Sequence, residues 1–171
     1  MIVGVTGHRP NRIPAGKRSS AALRIRAALI SFDKKAERHK TPILISGLAE
    51  GSDRYAAGAA LKLGWELHAL LPLAPEDYLQ DFESPASKGQ FRRLLAAAAS
   101  VSQPSEEARR TAGGDSEKRP YCYLAQGLDM LSQINGLIAV WDGGLSAGVG
   151  GTLDIIERAQ AKDVLVHFVR I

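Results

Sequence analysis

Short β-branched runs alternate with helix-period segments along the chain. Ile2 to Thr6 is an apolar run that stops at Gly7, as a buried strand does where it meets a turn. From Gly16 to Arg38 the period is helical, with Leu23, Leu29, Phe32 and Ala36 on one face and basic residues on the other. Ile43 to Ser46 reads as a second strand ended by Gly47. A helix follows from Ser52, its expected cap, through Ala56, Ala57, Ala60 and Leu61 to a stop at Gly64. Trp65 to Leu71 is a third strand closed by Pro72, and the proline- and acid-containing stretch Ala74 to Ser87 reads as a long surface loop. Gly89 to Ala99 is helical, and Val101 opens a short strand. Residues 103–120 are polar and breaker-rich, the composition of a mobile flap. Tyr121 to Ser132 is helical, Gly136 to Trp141 a buried strand, Thr152 to Ala161 a last helix and Val164 to Val169 a last strand. Strands alternating with helices predict an α/β fold whose mostly parallel sheet is covered on both faces.

Composition narrows the class without changing that picture. A chain of 171 residues, 45% hydrophobic and 23% charged, is the size of one soluble domain with its own core, read as a single unit over 1–171. No run approaches the roughly 20 apolar residues of a membrane helix, and the opening MIVGVTG enters a strand directly instead of reading as a signal peptide. Cys122 is the single cysteine, so an internal disulfide and a cysteine-based zinc site are excluded and a cytoplasmic, reducing location is expected. His39, His68 and His167 are too scattered for a metal site. The net charge of +4 favours anionic partners weakly, since Arg9, Arg12, Lys17, Arg18, Arg24 and Arg26 also read as the solvated face of the first helix.

In an open parallel sheet, ligands bind beyond the carboxyl ends of the strands. Three strand ends carry unusual residues. After the first strand come Gly7, His8, Arg9 and Pro10, a sharp turn with two side-chain donors. After the second come Ser46, Gly47, Glu50, Gly51, Ser52 and Asp53, a glycine-flanked loop running into a helix start. The amide groups and dipole of such a start attract anions. Asp53 there either complements the helix dipole, orients the loop or holds a ribose hydroxyl. After the fifth strand come Trp141, Asp142, Gly143 and Gly144, then Gly148, Gly150, Gly151 and Thr152. Five glycines in eleven residues suit a backbone that closely approaches phosphate oxygens, with Thr152 capping the next helix. No Gly-Lys-Ser/Thr of a Walker A loop occurs, and the dinucleotide fingerprint is missing from the first turn.

With VTGHRP, SGLAEGSDRYAAGAALKLGWELHALLP and AVWDGG followed by GVGGT in this order, the chain resembles the SLOG superfamily over nearly its whole length. That group includes DNA-processing protein A, the Lonely-guy phosphoribohydrolases, the molybdenum cofactor carrier proteins and nucleotide-sensing domains. The resemblance implies a single-domain Rossmann-like fold and a nucleotide or nucleotide-derived ligand. It places Gly7, His8 and Arg9 on one side of the site and Gly47, Glu50, Gly51 and Asp53 on a second, with Gly150, Gly151 and Thr152 on phosphate. The sequence departs from the Lonely-guy pattern. Ile155 stands where those enzymes carry a glutamate, and Asp154 is one position early, a rotation of about 100° on the helix.

The leading expectation is therefore a module that binds or senses a nucleotide-like molecule, with a pterin-carrier role as one form of it. No catalytic residue, metal or certain cofactor is assigned. One alternative is an N-glycosidic hydrolase acting on nucleoside monophosphates, with Glu50 or Asp154 as acid/base. Another is nucleic-acid binding, against which stands the lack of an aromatic-basic stripe. No membrane partner is expected. Homo-oligomerisation is expected, with Leu94 to Ala99 as an apolar pairing surface.

Overall fold

The computed structural model describes residues 1–37, 39–113, 118–144 and 148–171. Six strands form one sheet: β1 (Ile2–Gly7), β2 (Ile43–Ser46), β3 (Glu66–Leu70), β4 (Ser100–Ser102), β5 (Gly136–Trp141) and β6 (Leu165–Arg170). Every pairing is parallel and the order is β4-β3-β2-β1-β5-β6. The chain thus builds outward from β1 through β2, β3 and β4, then returns across β1 to lay down β5 and β6 on its other flank. The connections after β1 and β5 consequently leave in opposite directions and open a crevice between them.

The helices are α1 (Arg18–Asp33), α2 (Ser52–Lys62), α3 (Pro75–Tyr78), α4 (Pro85–Ala96), α5 (Glu106–Ala112), α6 (Arg119–Gln133) and α7 (Thr152–Ala161). Alternate strand residues point to opposite faces of the sheet. Val3, Val5, Leu67, Ile138 and Val140 join one core cluster with α1, α2 and α4, including Ile25, Leu29, Phe32 and Phe91. Ile45, Leu70 and Leu137 join a second with α6 and α7, including Leu124, Met130, Leu131 and Ile155. Helices on both faces explain why the inner strands read as unbroken apolar runs.

Several sequence expectations change. Leu23, expected in the core, is 68% exposed; the buried stripe of α1 is Ala21, Ile25, Ala28, Leu29 and Phe32. That stripe uses two alanines, whose small side chains let the helix sit close to the sheet and give little periodic contrast. The helix ends at Asp33, and its expected last residue, Arg38, lies outside the described residues. The stretch 74–87 is not a surface loop: α3 and a following 3₁₀ turn bury Tyr78, Leu79 and Phe82, and Tyr78 meets Phe82 and Phe91 edge-on. Sparse aromatics between prolines and acids hide such an anchor from any periodicity test. Within 103–120, residues 106–112 form α5 against α6. Ser105 caps it by accepting from the Ala108 N–H, and Asp129 accepts from the Ser105 N–H and hydroxyl. Residues 114–117 of the expected flap lie outside the described residues. Leu94, Leu95 and Ala98 pack half-buried against the first core cluster. Among the described residues, no helix is long and apolar enough to cross a membrane.

Candidate functional site

A cleft of about 420 Å³ lies at the carboxyl edge of the sheet where β1 and β5 diverge. Its floor is the end of β1. One wall is the start of α7, with Gly150, Gly151, Thr152 and Leu153. Another wall is α6, with Arg119, Tyr123, Gln126 and Met130. Of the predicted site residues, Gly7, His8, Arg9, Asp53, Trp141, Gly150, Gly151 and Thr152 line it. A larger depression, about 680 Å³, lies between the end of α1 and the starts of β2 and β3. It sits at the opposite edge of the sheet, away from every predicted site residue.

The first loop is held from two sides. His8 is 4% exposed, and its Nε2 lies 2.9 Å from Asp142 Oδ1. Arg12 pairs with the other oxygen of Asp142 at 3.0 Å. The hydrogen bond from His8, followed by one from the Gly144 N–H, holds the Asp142 carboxyl down at about 2. The imidazole and Asp142 thus tie the first and third loops together. Gly143 and Gly144 complete that turn, with the Trp141 indole N–H donating to the Gly144 carbonyl at 3.0 Å.

The second loop turns out to be occupied by the chain itself. Gly51, not Ser52, is the N-cap of α2, at φ +88. A Cβ there would lie 2.7 Å from the His8 carbonyl oxygen, so the close approach of the two loops requires glycine. Ser52 donates to that same carbonyl from both its N–H (3.3 Å) and its hydroxyl (2.9 Å). Ahead of the helix, Asp53 Oδ2 accepts from the Ser46 hydroxyl and the Ala49 N–H, each at 3.4 Å. The groups expected to receive a ligand anion therefore hold a carbonyl and a carboxylate of the protein. Glu50 faces away from the cleft into a second depression, where Ser87 donates a short hydrogen bond to it.

The third loop is open by comparison. Gly151 is the N-cap of α7 and makes no side-chain cap bond; Thr152, expected as the cap, is the first helical residue. Gly150, at φ +72, passes so close to α6 that a Cβ would lie 2.7 Å from the Leu124 nitrogen. Asp154 steadies this turn from behind, accepting from the Gly150 N–H at 2.9 Å and pairing with Arg158 at 2.6 Å. Both of its oxygens are thereby engaged. Residues 145–147 of the glycine loop lie outside the described residues.

Sequence reading missed the α6 wall. Arg119, Tyr123, Gln126 and Met130 recur at helical spacing and face the cleft as one stripe, a signal overshadowed by the apolar residues between them. Arg9 donates to the Tyr123 hydroxyl at 3.0 Å, Tyr123 donates a short bond to Asp81, and Arg119 pairs with Asp81 at 2.9 Å. Burial, then the bond to Asp81, pushes the Tyr123 hydroxyl far above its ordinary range, so it stays a donor. Asp81 thus holds two partly exposed arginines, Arg9 and Arg119, at the rim.

Asp53 is different in kind. It lines the cleft, is 8% exposed, and is raised from 3.8 to about 6, chiefly by burial. Hydrogen bonds from Ala49, Ser46 and Gly47 and the charge of Arg9 offset only part of that effect.

No protein-family model and no curated protein matches the chain. Among solved structures, DNA processing protein A from Streptococcus pneumoniae is similar, with a TM-score of 0.58 and 20% identity. The match covers 97% of this chain and 49% of that one, so this chain spans about half the length of the protein it resembles. The fold is Rossmann-like. Ordered as it is around β1, the Rossmann-like sheet puts its crevice where the three glycine-bearing loops converge.

Proposed function

We propose that the chain binds a nucleotide or nucleotide-derived ligand in the cleft between β1 and β5, with the ligand's phosphate at the start of α7. The observation that carries this reading is the meeting of two kinds of anion-favouring group in one crevice. A helix N-terminus with the backbone of Gly150 and Gly151 lines it, and so do Arg9 and Arg119, held by Asp81. A helix start favours negative charge, and the first amide groups of a helix have no intrahelical acceptor. The apolar surface of Val5, Met130 and Ile155 lines the remainder, as in a site for a small organic molecule.

The alternatives gain less. The hydrolase reading uses Glu50 or Asp154 as acid/base, yet Glu50 faces another depression and Asp154 is bound to Gly150 and Arg158. For nucleic-acid binding, several N-terminal arginines are engaged within the protein: Arg12 with Asp142, Arg18 with the Ile13 and Pro10 carbonyls, and Arg24 with the Arg170 carbonyl.

The test is mass spectrometry of small molecules released by denaturing the purified protein, followed by calorimetric titration with a panel of nucleotides. A retained nucleotide or phosphate-bearing pterin, or saturable binding that Arg9→Ala weakens, supports the reading. A protein that carries nothing and titrates with none of the panel overturns it.

A further inference from the structure

The cleft is electrostatically two-ended. Its α7 end is lined by the first residues of a helix, whose amide groups favour negative charge, while its β2 end presents the Asp53 carboxyl. No ion pair reaches Asp53 among the described residues, and Arg9 acts on it only from longer range. Its hydrogen bonds from Ser46 and Ala49 are long, at 3.4 Å each, a third comes from the Gly47 N–H, and a carboxylate offers about four acceptor positions. Accepting capacity therefore remains on a group that lines the cleft. A phosphate cannot settle beside such a group without like-charge repulsion. A hydroxyl can, because it brings one more donor to a buried acceptor whose existing bonds are long.

The separation of the two ends agrees with one ligand bridging them. β2 and β5 flank β1, so their carboxyl ends are two strand spacings apart, roughly 10 Å. A ligand whose phosphate occupies the α7 end would bring the attached sugar over β1 and its hydroxyls toward β2.

We infer that Asp53 accepts hydrogen bonds from the ribose hydroxyls of the bound ligand and makes the cleft selective for ribonucleotides over 2′,3′-dideoxynucleotides. This rests on the nucleotide reading above and names the sugar that the site requires. Gln126, beside Gly47 at the same end, is placed to order the Asp53 end from α6.

The experiment compares the affinities of the four ribonucleoside 5′-monophosphates with those of their 2′,3′-dideoxy counterparts on the wild-type chain. A hydrogen bond to a charged acceptor gives the ribose series an advantage of about ten- to a hundredfold. In Asp53→Asn that advantage falls to about threefold or less, since any change common to both series cancels in the ratio. Thermal melting checks that the variant is folded. A second reading needs no variant. The ribose advantage of the wild type shrinks as pH falls through about 6, where the carboxyl gains its proton. Ionisation of the phosphate affects both series and cancels in the ratio. The charged and titratable groups facing Asp53 are Arg9, Arg54 and Tyr78; the two arginines keep their charge, and Tyr78 stays neutral, across this range. Equal affinity for the two series overturns the inference and leaves the nucleotide reading standing. So does an advantage that stays undiminished in folded Asp53→Asn. Failure of both series to bind overturns the nucleotide reading itself, and the inference falls with it.

Discussion

Two helices begin at the same edge of the sheet behind glycine-rich loops, and they do opposite things with their N-termini. The start of α2 is filled from within: the His8 carbonyl receives two bonds from Ser52, and the Asp53 carboxyl turns back onto the loop ahead of the helix. The start of α7 has Asp154 engaged on its outer side and faces the cleft through Gly151, Thr152 and Leu153. The same local chemistry thus serves as a structural joint in one case and as a candidate anion site in the other. A helix N-terminus becomes a ligand site only where the fold leaves it unoccupied.

The strongest way to break this contrast is at the two glycines that let each loop close. Gly51→Ala would drive a Cβ into the His8 carbonyl, and Gly150→Ala would drive one into the α6 backbone, both at positive φ. Each should cost about 2–4 kcal/mol of stability in chemical denaturation, from backbone strain and overpacking. If Gly51→Ala is tolerated as easily as a surface substitution, the first and second loops are not locked together as described.

The buried joint has a signature in pH. Asp53 is raised above its unfolded value, so the folded state binds the proton more tightly and the associated stability is fully present below about 4. It is lost as pH rises through about 6, a decline of about 3 kcal/mol by linkage. Denaturation midpoints of the wild type between pH 4 and 7 should show that decline, and Asp53→Asn should remove it. A wild-type profile identical to that of the variant would mean that the carboxyl is not buried as the structure has it.

A milder perturbation separates the two helix starts directly. Titration with inorganic phosphate, followed by amide NMR shifts, should move Gly151, Thr152 and Leu153 and leave Ser52 and Asp53 in place. Replacing Arg9 with Ala should weaken that binding about tenfold, the loss of one charge-assisted contact. Equal movement at both helix starts would erase the distinction. The smallest effect is expected for Glu50→Gln, whose side chain faces away from the cleft; nucleotide affinity should change by less than about twofold in the same titration.

The fold was open to sequence reading to an unusual extent, for a reason visible in particular elements. β1, β2 and β5 are buried on both faces, so Ile2–Gly7, Ile43–Ser46 and Gly136–Trp141 stand out as apolar runs whatever surrounds them. The candidate cleft was legible in part. The first and third loops announce themselves by glycine and by position after a strand, and Asp53 and Thr152, named with them, line it. Tyr78, Phe82 and the α6 stripe were not found, because their roles depend on which neighbours the fold delivers.

What the sequence determined by itself is the alternation of strand and helix and the three turns where chain direction changes, since local periodicity and backbone freedom are properties of short segments. Only the tertiary structure decided which of those turns was left open. Whether a helix start meets a carbonyl, a carboxylate or an empty cleft depends on residues far away in the chain: His8 against Ser52, and Leu124 against Gly150. Long-range packing makes those pairs, and no local pattern encodes them.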